Sequence, residues 1–368
     1  MRPRPHPKEG LLWHMKTEDV YIDAVGVHLP DEWVSAQQAI ETGLFDEDSV
    51  QYATELTGSY IAGDVPAVDM AVFAARQALE RSGTDATALG FHVHCSASEQ
   101  GPESFYPPGY VLRELGAHGV SSVDVHQNSD GMLAAFEVAV GQLTGAARAS
   151  RVLVTAGENF SSPLIDRWQG FGTGFSASDG GAAVLFSDAG GFAALRALNS
   201  GTLPELEQWH RGEKSLLPHR EPMGKAVSGS DMLEMLWYFN DEVIPLDKCL
   251  QMIRDFESDL MRRSLDDAGL DVGDVAWVLT ANTNLQMMEQ MKLEPLGLPL
   301  SRSNGVFARD FGHIGACDIP VSLDHLLASG KLSPGDNILM TTSGAGWVST
   351  SAVITVLDLP SWAGTGRP

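Results

Sequence analysis

Cysteine is scarce in this chain: Cys95, Cys249 and Cys317 are the three among 368 residues. An odd number cannot pair completely, and none has neighbours at metal-binding spacing, so neither a disulfide framework nor a zinc site is expected. A reducing cytoplasm is the expected compartment. Long apolar runs are also missing; none approaches the roughly 18 residues that a membrane span needs. Basic charge is thin, with 24 Lys and Arg against 48 Asp and Glu and a net charge of −24, which opposes binding to nucleic acid or an anionic bilayer. No GxGxxG follows a strand and no GxxxxGK[ST] occurs, so no nucleotide cofactor is expected. His92 and His94 alternate onto one face of a strand beside Cys95, but no fourth ligand has suitable spacing, so no metal is expected either. Residues 1–19 lack a sustained apolar segment and a small-residue cleavage site, and they read as a flexible arm.

What is present is a globular composition, 43% hydrophobic and 20% charged, on a chain long enough for two core-bearing domains or one large duplicated one. The duplication is visible in pattern order. Gln77–Gly83 reads as a helix end with a glycine cap, followed by a polar turn and the strand of TDATALGFHVHCSAS. Arg263–Gly269 followed by LDVGDVAWVLTANTN reads the same way. The separation (269 minus 83, or 186) also carries Asp124 onto Asp310 and Val152–Thr155 onto Ile338–Thr341. Ala182–Leu185 and Ser351–Ile354 close the two halves at a shorter offset. Each half then runs helix, strand, long connection, strand, turn, helix, strand and a Gly-rich turn into a last strand. Continuously apolar strands such as VLVTA and ILMTT imply a sheet covered on both faces. The expected boundaries are residues 20–190 and 251–360 for the halves, with 191–250 as a connection and insertion.

The chemistry concentrates in Val123–Val140, VDVHQNSDGMLAAFEVAV, read as a strand, a polar turn and a small-residue helix opening at Asp130-Gly131. Ser129 stands where free backbone N–H groups and the positive end of a helix dipole point. It reads as an acylated nucleophile with a main-chain oxyanion site, or as a plain N-cap serine. The 186-residue offset sets Ser129 opposite Gly315 in FGHIGACDIP, so His313 becomes the base for Ser129 or a backbone-satisfied histidine at a helix start. Cys317 is a rival nucleophile or packing. Ser343–Trp347, with Ala345 and Gly346, is a tight turn able to bring a main-chain N–H to a reacting carbonyl. Ser178–Gly181 is its counterpart. Asn282 and Asn284 either orient His313 or a substrate, or cap a loop. Asp130 tunes the site or caps the helix. Phe105, Tyr106, Phe171, Phe175 and Trp209 line an acyl tunnel or fill core. Arg211, Lys214, His219, Arg220 and Lys225 form a docking patch or a solvated face.

These segments together resemble the ketoacyl-ACP synthase III branch of the thiolase superfamily, from about Tyr21 to Leu357. AVGVHLP, DVHQNSDG, SDGGAAVLFSD, WVLTANTN, FGHIGACDIP with SLDHLL, and SGAGW carry the resemblance through their order and spacing. It implies a thiolase-like α/β fold, two duplicated halves in a layered αβαβα arrangement, and a homodimer. The family's nucleophilic cysteine falls on Ser129, its HQAN histidine on Ala281, and its GNTS asparagine on His313. In condensing enzymes that histidine and asparagine stabilise the enolate left by decarboxylation; here one of the two donors is gone. The stretch Glu55–Ile61 lacks the arginines that the family places near the phosphopantetheine entrance. The resemblance implies an acyltransferase of secondary metabolism, using an acyl carrier protein or acyl-CoA donor and a small-molecule or carrier acceptor. Its alternatives are a starter-unit condensing enzyme of a type II polyketide pathway and a catalytically silent partner subunit.

Overall fold

The computed structural model describes residues 16–44, 57–146, 149–161, 166–168, 176–216 and 229–366. Its strands are β1 (Tyr21–His28), β2 (Glu32–Ser35), β3 (Gly58–Ile61), β4 (Phe91–Ser96), β5 (Ser121–His126), β6 (Arg151–Glu158) and β7 (Gly180–Ser187). β8 (Ala193–Thr202), β9 (Val275–Thr280), β10 (Asn337–Gly344) and β11 (Val348–Val356) follow. The helices are α1 (Ala36–Glu41), α2 (Ala67–Ser82), α3 (Pro107–Leu115), α4 (Gly131–Thr144), α5 (Gly229–Glu242), α6 (Leu246–Ala268), α7 (Leu285–Met288) and α8 (Asp318–Ala328).

The repeat read from the sequence is a repeat of topology. The nine-stranded sheet has the order β5-β4-β6-β7-β1-β8-β11-β10-β9. Outward from its centre, β1-β7-β6-β4 and β8-β11-β10-β9 each make two antiparallel pairings and then a parallel one. Both α2 and α6 end at a left-handed glycine, Gly83 (φ 66°) and Gly269 (φ 71°), before a short 3-10 turn and the next strand. The two arms meet where β1 pairs with β8, Tyr21 with Ala194 and Ile22 with Ala193, beside a bond from Leu195 N to Val20 O.

Alternation along the strands builds the layers. Val152, Val154, Val184 and Phe186 of one arm, with Ile338, Met340, Ala352 and Ile354 of the other, pack around α4 and α8. Leu153, Ala183 and Leu185 turn the opposite way onto α2, while Val278, Leu339 and Val353 turn onto α6. The outcome is α2, one arm, α4 with α8, the other arm, then α6: the five layers expected. Three glycines on adjacent strands let α2 lie directly on its arm. A Cβ at Gly26, Gly157 or Gly181 would sit 2.0–2.2 Å from a backbone oxygen of α2.

Three expectations change. The strand expected before the second-half turn is replaced by 3-10 turns, leaving one bridge between Val278 and Ser303. Asn304 takes over the pairing: its Oδ1 accepts from Thr280 N at 3.1 Å and its Nδ2 donates to Thr280 O at 2.7 Å. A side-chain amide thus satisfies the end of β9 where a neighbouring backbone would. Residues 191–250, read as a connection, contribute the central strand β8. Of the arm at 1–19, residues 1–15 lie outside the described residues, but Lys16 bridges Ala197 and Thr17 is buried with its hydroxyl donating to Leu195 O.

Replacing Gly181 by Ala should cost about 1–3 kcal/mol, because the helix backbone has to move off the sheet. Denaturant unfolding of the variant should show a lower midpoint; an unchanged midpoint would refute this account of the helix–sheet contact.

Candidate active site

Ser129 lies in the 3-10 turn Asn128–Asp130 between β5 and α4, entered through Asn128 at φ 52°. Its counterpart turn, Gly315–Cys317, leads into α8. The two helix starts are in close contact, since a Cβ at Gly131 would lie 3.4 Å from the Cβ atoms of both Ala316 and Cys95.

His313 is held by its backbone before its side chain does anything. His313 N donates to Ser176 O at 3.0 Å and Ser178 N donates to His313 O at 2.8 Å. The Ser178–Gly181 turn is itself pinned by buried Asp179, which pairs with Arg167 at 2.9 Å and accepts from Phe160 N and Ala62 N at 2.7 Å. That turn is a mount for the histidine. From it the ring spans two partners: Nε2 is 2.8 Å from Ser129 Oγ, and Nδ1 is 2.6 Å from Asp318 Oδ2.

Asp318 is the residue that the sequence reading missed. Its remaining lone pairs are satisfied by Asn282 N and Ile314 N, both at 2.7 Å. The order Ser–His–Asp sets the imidazole with Nδ1–H toward the carboxylate and Nε2 facing the Ser129 hydroxyl, placed to take its proton. Burial acts to lower the His313 pKa, but Asp318, by charge and hydrogen bond, and the nearby Glu158 outweigh it, so the net shift is upward. Glu158, fully buried, accepts from Ala97 N and Ser98 N at 2.7 Å and from Ala316 N at 3.1 Å, tying the end of β4 to the turn before α8.

The other expected residues divide. Asn282 supports the site from behind: its Nδ2 donates to Gly312 O at 2.9 Å and its Oδ1 accepts from Asn304 at 2.9 Å. Asn284 caps α7 through Met287 N, away from the ring. Ala345 and Gly346 lie in the hairpin loop between β10 and β11, whose base meets the Ser129 turn: a Cβ at Gly344 would be 2.5 Å from Gln127 O. Gly346 N donates to His210 Nδ1 at 3.3 Å, and His210, its pKa pushed down to about 4 by burial, stacks on Trp347.

Asp130 does not cap α4. Its carboxylate accepts from Thr342 Oγ1 at 2.8 Å and Thr350 Oγ1 at 2.9 Å, and burial pushes its pKa up to about 7 against those bonds and the charge of Lys292. Cys317 and Cys95 are buried, and burial with the charge of Glu158 pushes both thiols well up, which removes Cys317 as a rival nucleophile.

His92 and His94 share Thr155 Oγ1 at 2.8 and 3.0 Å, and His94 continues to Gln100 at 3.2 Å. Among the described residues no cluster suits a metal ion. Trp209 packs on Trp347 and Phe105 on Tyr110, whereas Tyr106 is exposed and its hydroxyl donates to Ser122 O. Arg211 pairs with Glu207 at 2.8 Å, and Lys214 is also engaged. Phe171, Phe175, His219, Arg220, Lys225 and Glu55 lie outside the described residues.

Comparison with known proteins agrees with this architecture. Residues 265–356 match the family model 3-oxoacyl-[acyl-carrier-protein] synthase III C terminal. The β-ketoacyl-[acyl-carrier-protein] synthase III of Rhizorhabdus wittichii is 26% identical over 336 residues, covering 89% of this chain and 97% of that protein. The acetoacetyl CoA synthase NphT7 of Streptomyces sp. strain CL190 is 25% identical, covering 90% and 97%. The solved structure of ChlB3, described as an acyltransferase, is 35% identical and superposes with a TM-score of 0.86 over 94% of this chain and 99% of that one. The chain belongs to the ketoacyl-ACP synthase III family of the thiolase superfamily. Ala281 directly follows β9, both ends of the Asn282 amide are engaged, and Asn284 Oδ1 accepts from Met287 N.

An NMR pH titration should find the His313 imidazole titrating above the ordinary 6.5, and Asp318→Asn should bring it below, because burial then acts with less opposition. With the folded pKa raised, the stability from this ionisation is full below pH 6.5 and fades as pH rises through the folded value. A His313 pKa unchanged in Asp318→Asn would overturn the assignment.

Proposed function

We propose that this protein is a serine-dependent acyltransferase of secondary metabolism. It would take an acyl group from a carrier-protein or CoA thioester through a Ser129 ester and deliver it to a small-molecule or carrier acceptor, as a cytoplasmic homodimer with no cofactor of its own. The observation that carries this reading is the hydrogen-bonded series Ser129, His313, Asp318, in a chain whose Ala281 falls on the family's histidine.

A serine hydroxyl is a weak nucleophile without a base, and here the base is within hydrogen-bond reach. Ser129 Oγ attacks the thioester carbonyl as its proton passes to His313 Nε2; Asp318 stabilises the imidazolium. The N–H groups of Ser129 and Ala345 receive the oxyanion. The imidazolium protonates the departing thiolate. His313 then takes a proton from the acceptor, which attacks the ester and returns Ser129 to its free form. The fold and the 35% identity to ChlB3, described as an acyltransferase, support this direction.

The relatives named as ketoacyl synthase and acetoacetyl CoA synthase favour a second reading, a starter-unit condensing enzyme. Carbon–carbon bond formation needs the enolate held by two donors, and Ala281 supplies none. A silent partner subunit would have no use for a poised Ser–His pair.

Intact-protein mass spectrometry with a panel of acyl thioesters separates these. The wild type should gain one acyl group; Ser129→Ala and His313→Ala should gain none, and Asp318→Asn should acylate roughly 10⁴-fold more slowly. Release of the bound acyl group by a malonyl thioester with carbon dioxide would establish the condensing reading. No adduct from any donor would overturn both enzymatic readings.

A further inference from the structure

The hairpin β10–β11 ends in two successive cross-strand hydroxyl pairs, Thr342 with Thr350 and then Ser343 with Ser349. Neighbouring residues of a strand point to opposite faces, so the two pairs present their hydroxyls on opposite sides of the ribbon. Each pair meets a buried carboxylate. On one side Asp130 accepts from Thr342 at 2.8 Å and Thr350 at 2.9 Å, with Gln127 Nε2 at 3.4 Å. On the other, Glu257 Oε1 accepts from Ser343 Oγ, from Ser349 Oγ at 3.1 Å and from the Trp347 indole N–H at 3.3 Å. Glu257 Oε2 pairs with Lys292 Nζ at 2.7 Å, and Lys292 also donates to Ser343 at 3.1 Å. Lys292 stands in the π-helical turn Glu289–Leu293, an arrangement frequent at functional sites.

Asp130 and Glu257 are 0% and 1% exposed. Two carboxylates are a costly way to hold a hairpin that apolar side chains could hold by packing. What they add is direction. Asp130 follows Ser129 in sequence, so its bonds tie the nucleophile's turn in one half to the β-ribbon of the other. Glu257 fixes the same ribbon from behind, including Trp347 in its loop.

We propose that Asp130 and Glu257 are positioning residues that seat the loop Ala345–Trp347 over Ser129 and so set the spacing of the oxyanion donors. This rests on the acyl-transfer reading above. Its signature is a loss in the chemical step, with donor binding little affected, since the carboxylates touch the ribbon and not the substrate.

The test is single-turnover acylation of the full chain by an acyl thioester that acylates wild type, with Thr350→Val, Thr350→Ser, Asp130→Asn and Glu257→Gln compared and melting temperatures recorded. Thr350→Val should lower the maximal acylation rate about 10- to 100-fold while the half-saturating donor concentration stays within about threefold. Thr350→Ser, which keeps the hydroxyl, should recover most of the rate, and Asp130→Asn and Glu257→Gln should fall with Thr350→Val. Wild-type rates in Thr350→Val, a loss confined to half-saturation, or no recovery in Thr350→Ser would each overturn the proposal alone. A wild type that takes no acyl group from any donor would overturn the acyl-transfer reading and this inference with it.

Discussion

A buried imidazole held against a buried carboxylate is the interaction on which this molecule's design turns. Taking Asp318 out of water is costly unless its lone pairs find donors, and removing a partner would leave a charge stranded. The structure supplies three: His313 Nδ1 and the main-chain N–H groups of Asn282 and Ile314. Those donors come from the end of β9 and from the turn before α8. The carboxylate therefore organises the second-half loops around the ring while it orients the ring toward Ser129. Glu158 repeats the device from the first half, gathering Ala97, Ser98 and Ala316 onto one side chain. Two carboxylates, five backbone donors and one imidazole do the work of joining the halves where chemistry needs them joined.

Much of this was legible in the sequence, and the reason is periodicity. A duplicated chain prints each turn twice, so the offset between Gly83 and Gly269 was enough to set the Ser129 turn against the His313 turn. Continuously apolar strands marked a sheet covered on both sides, and the small-residue run after Asp130 marked a helix between layers. Where the pattern failed, side chains had replaced backbone. Asn304 performs the hydrogen bonding of a missing strand, which no alternation of polar and apolar residues records. Asp318 was silent because an acid in the first turn of a helix has an ordinary explanation in the helix dipole. Its real partner is five residues back, around a turn. Asp130 admitted a cap among its readings for the same reason; its partners are Thr342 and Thr350, more than two hundred residues away.

A fold shared with condensing enzymes and the proposed acyl transfer are not in conflict. The fold provides two helix starts in contact, a strand end and a hairpin loop converging on one point, and the residues placed there decide what is made. The imidazole at position 313 lies 2.8 Å from the Ser129 hydroxyl and has a carboxylate behind it. Under the proposed reading, the same scaffold favours breaking and making esters over stabilising an enolate.

The narrow join between the arms carries a consequence for how such a chain can change over evolutionary time. Two register pairs cross from β1 to β8, with Lys16, Thr17 and Val20 continuing the contact along β8, so the backbone ladder between the halves is short. Their separation at the reacting atoms is set by the thickness of what lies between them: Gly131, Cys95 and Ala316, with clearances of 3.4 Å for an added carbon. Core volume at those positions behaves as a spacer gauge for the nucleophile and its base. Drift toward larger side chains there would alter the reaction without touching any polar residue, and selection on catalysis would be written as selection on size.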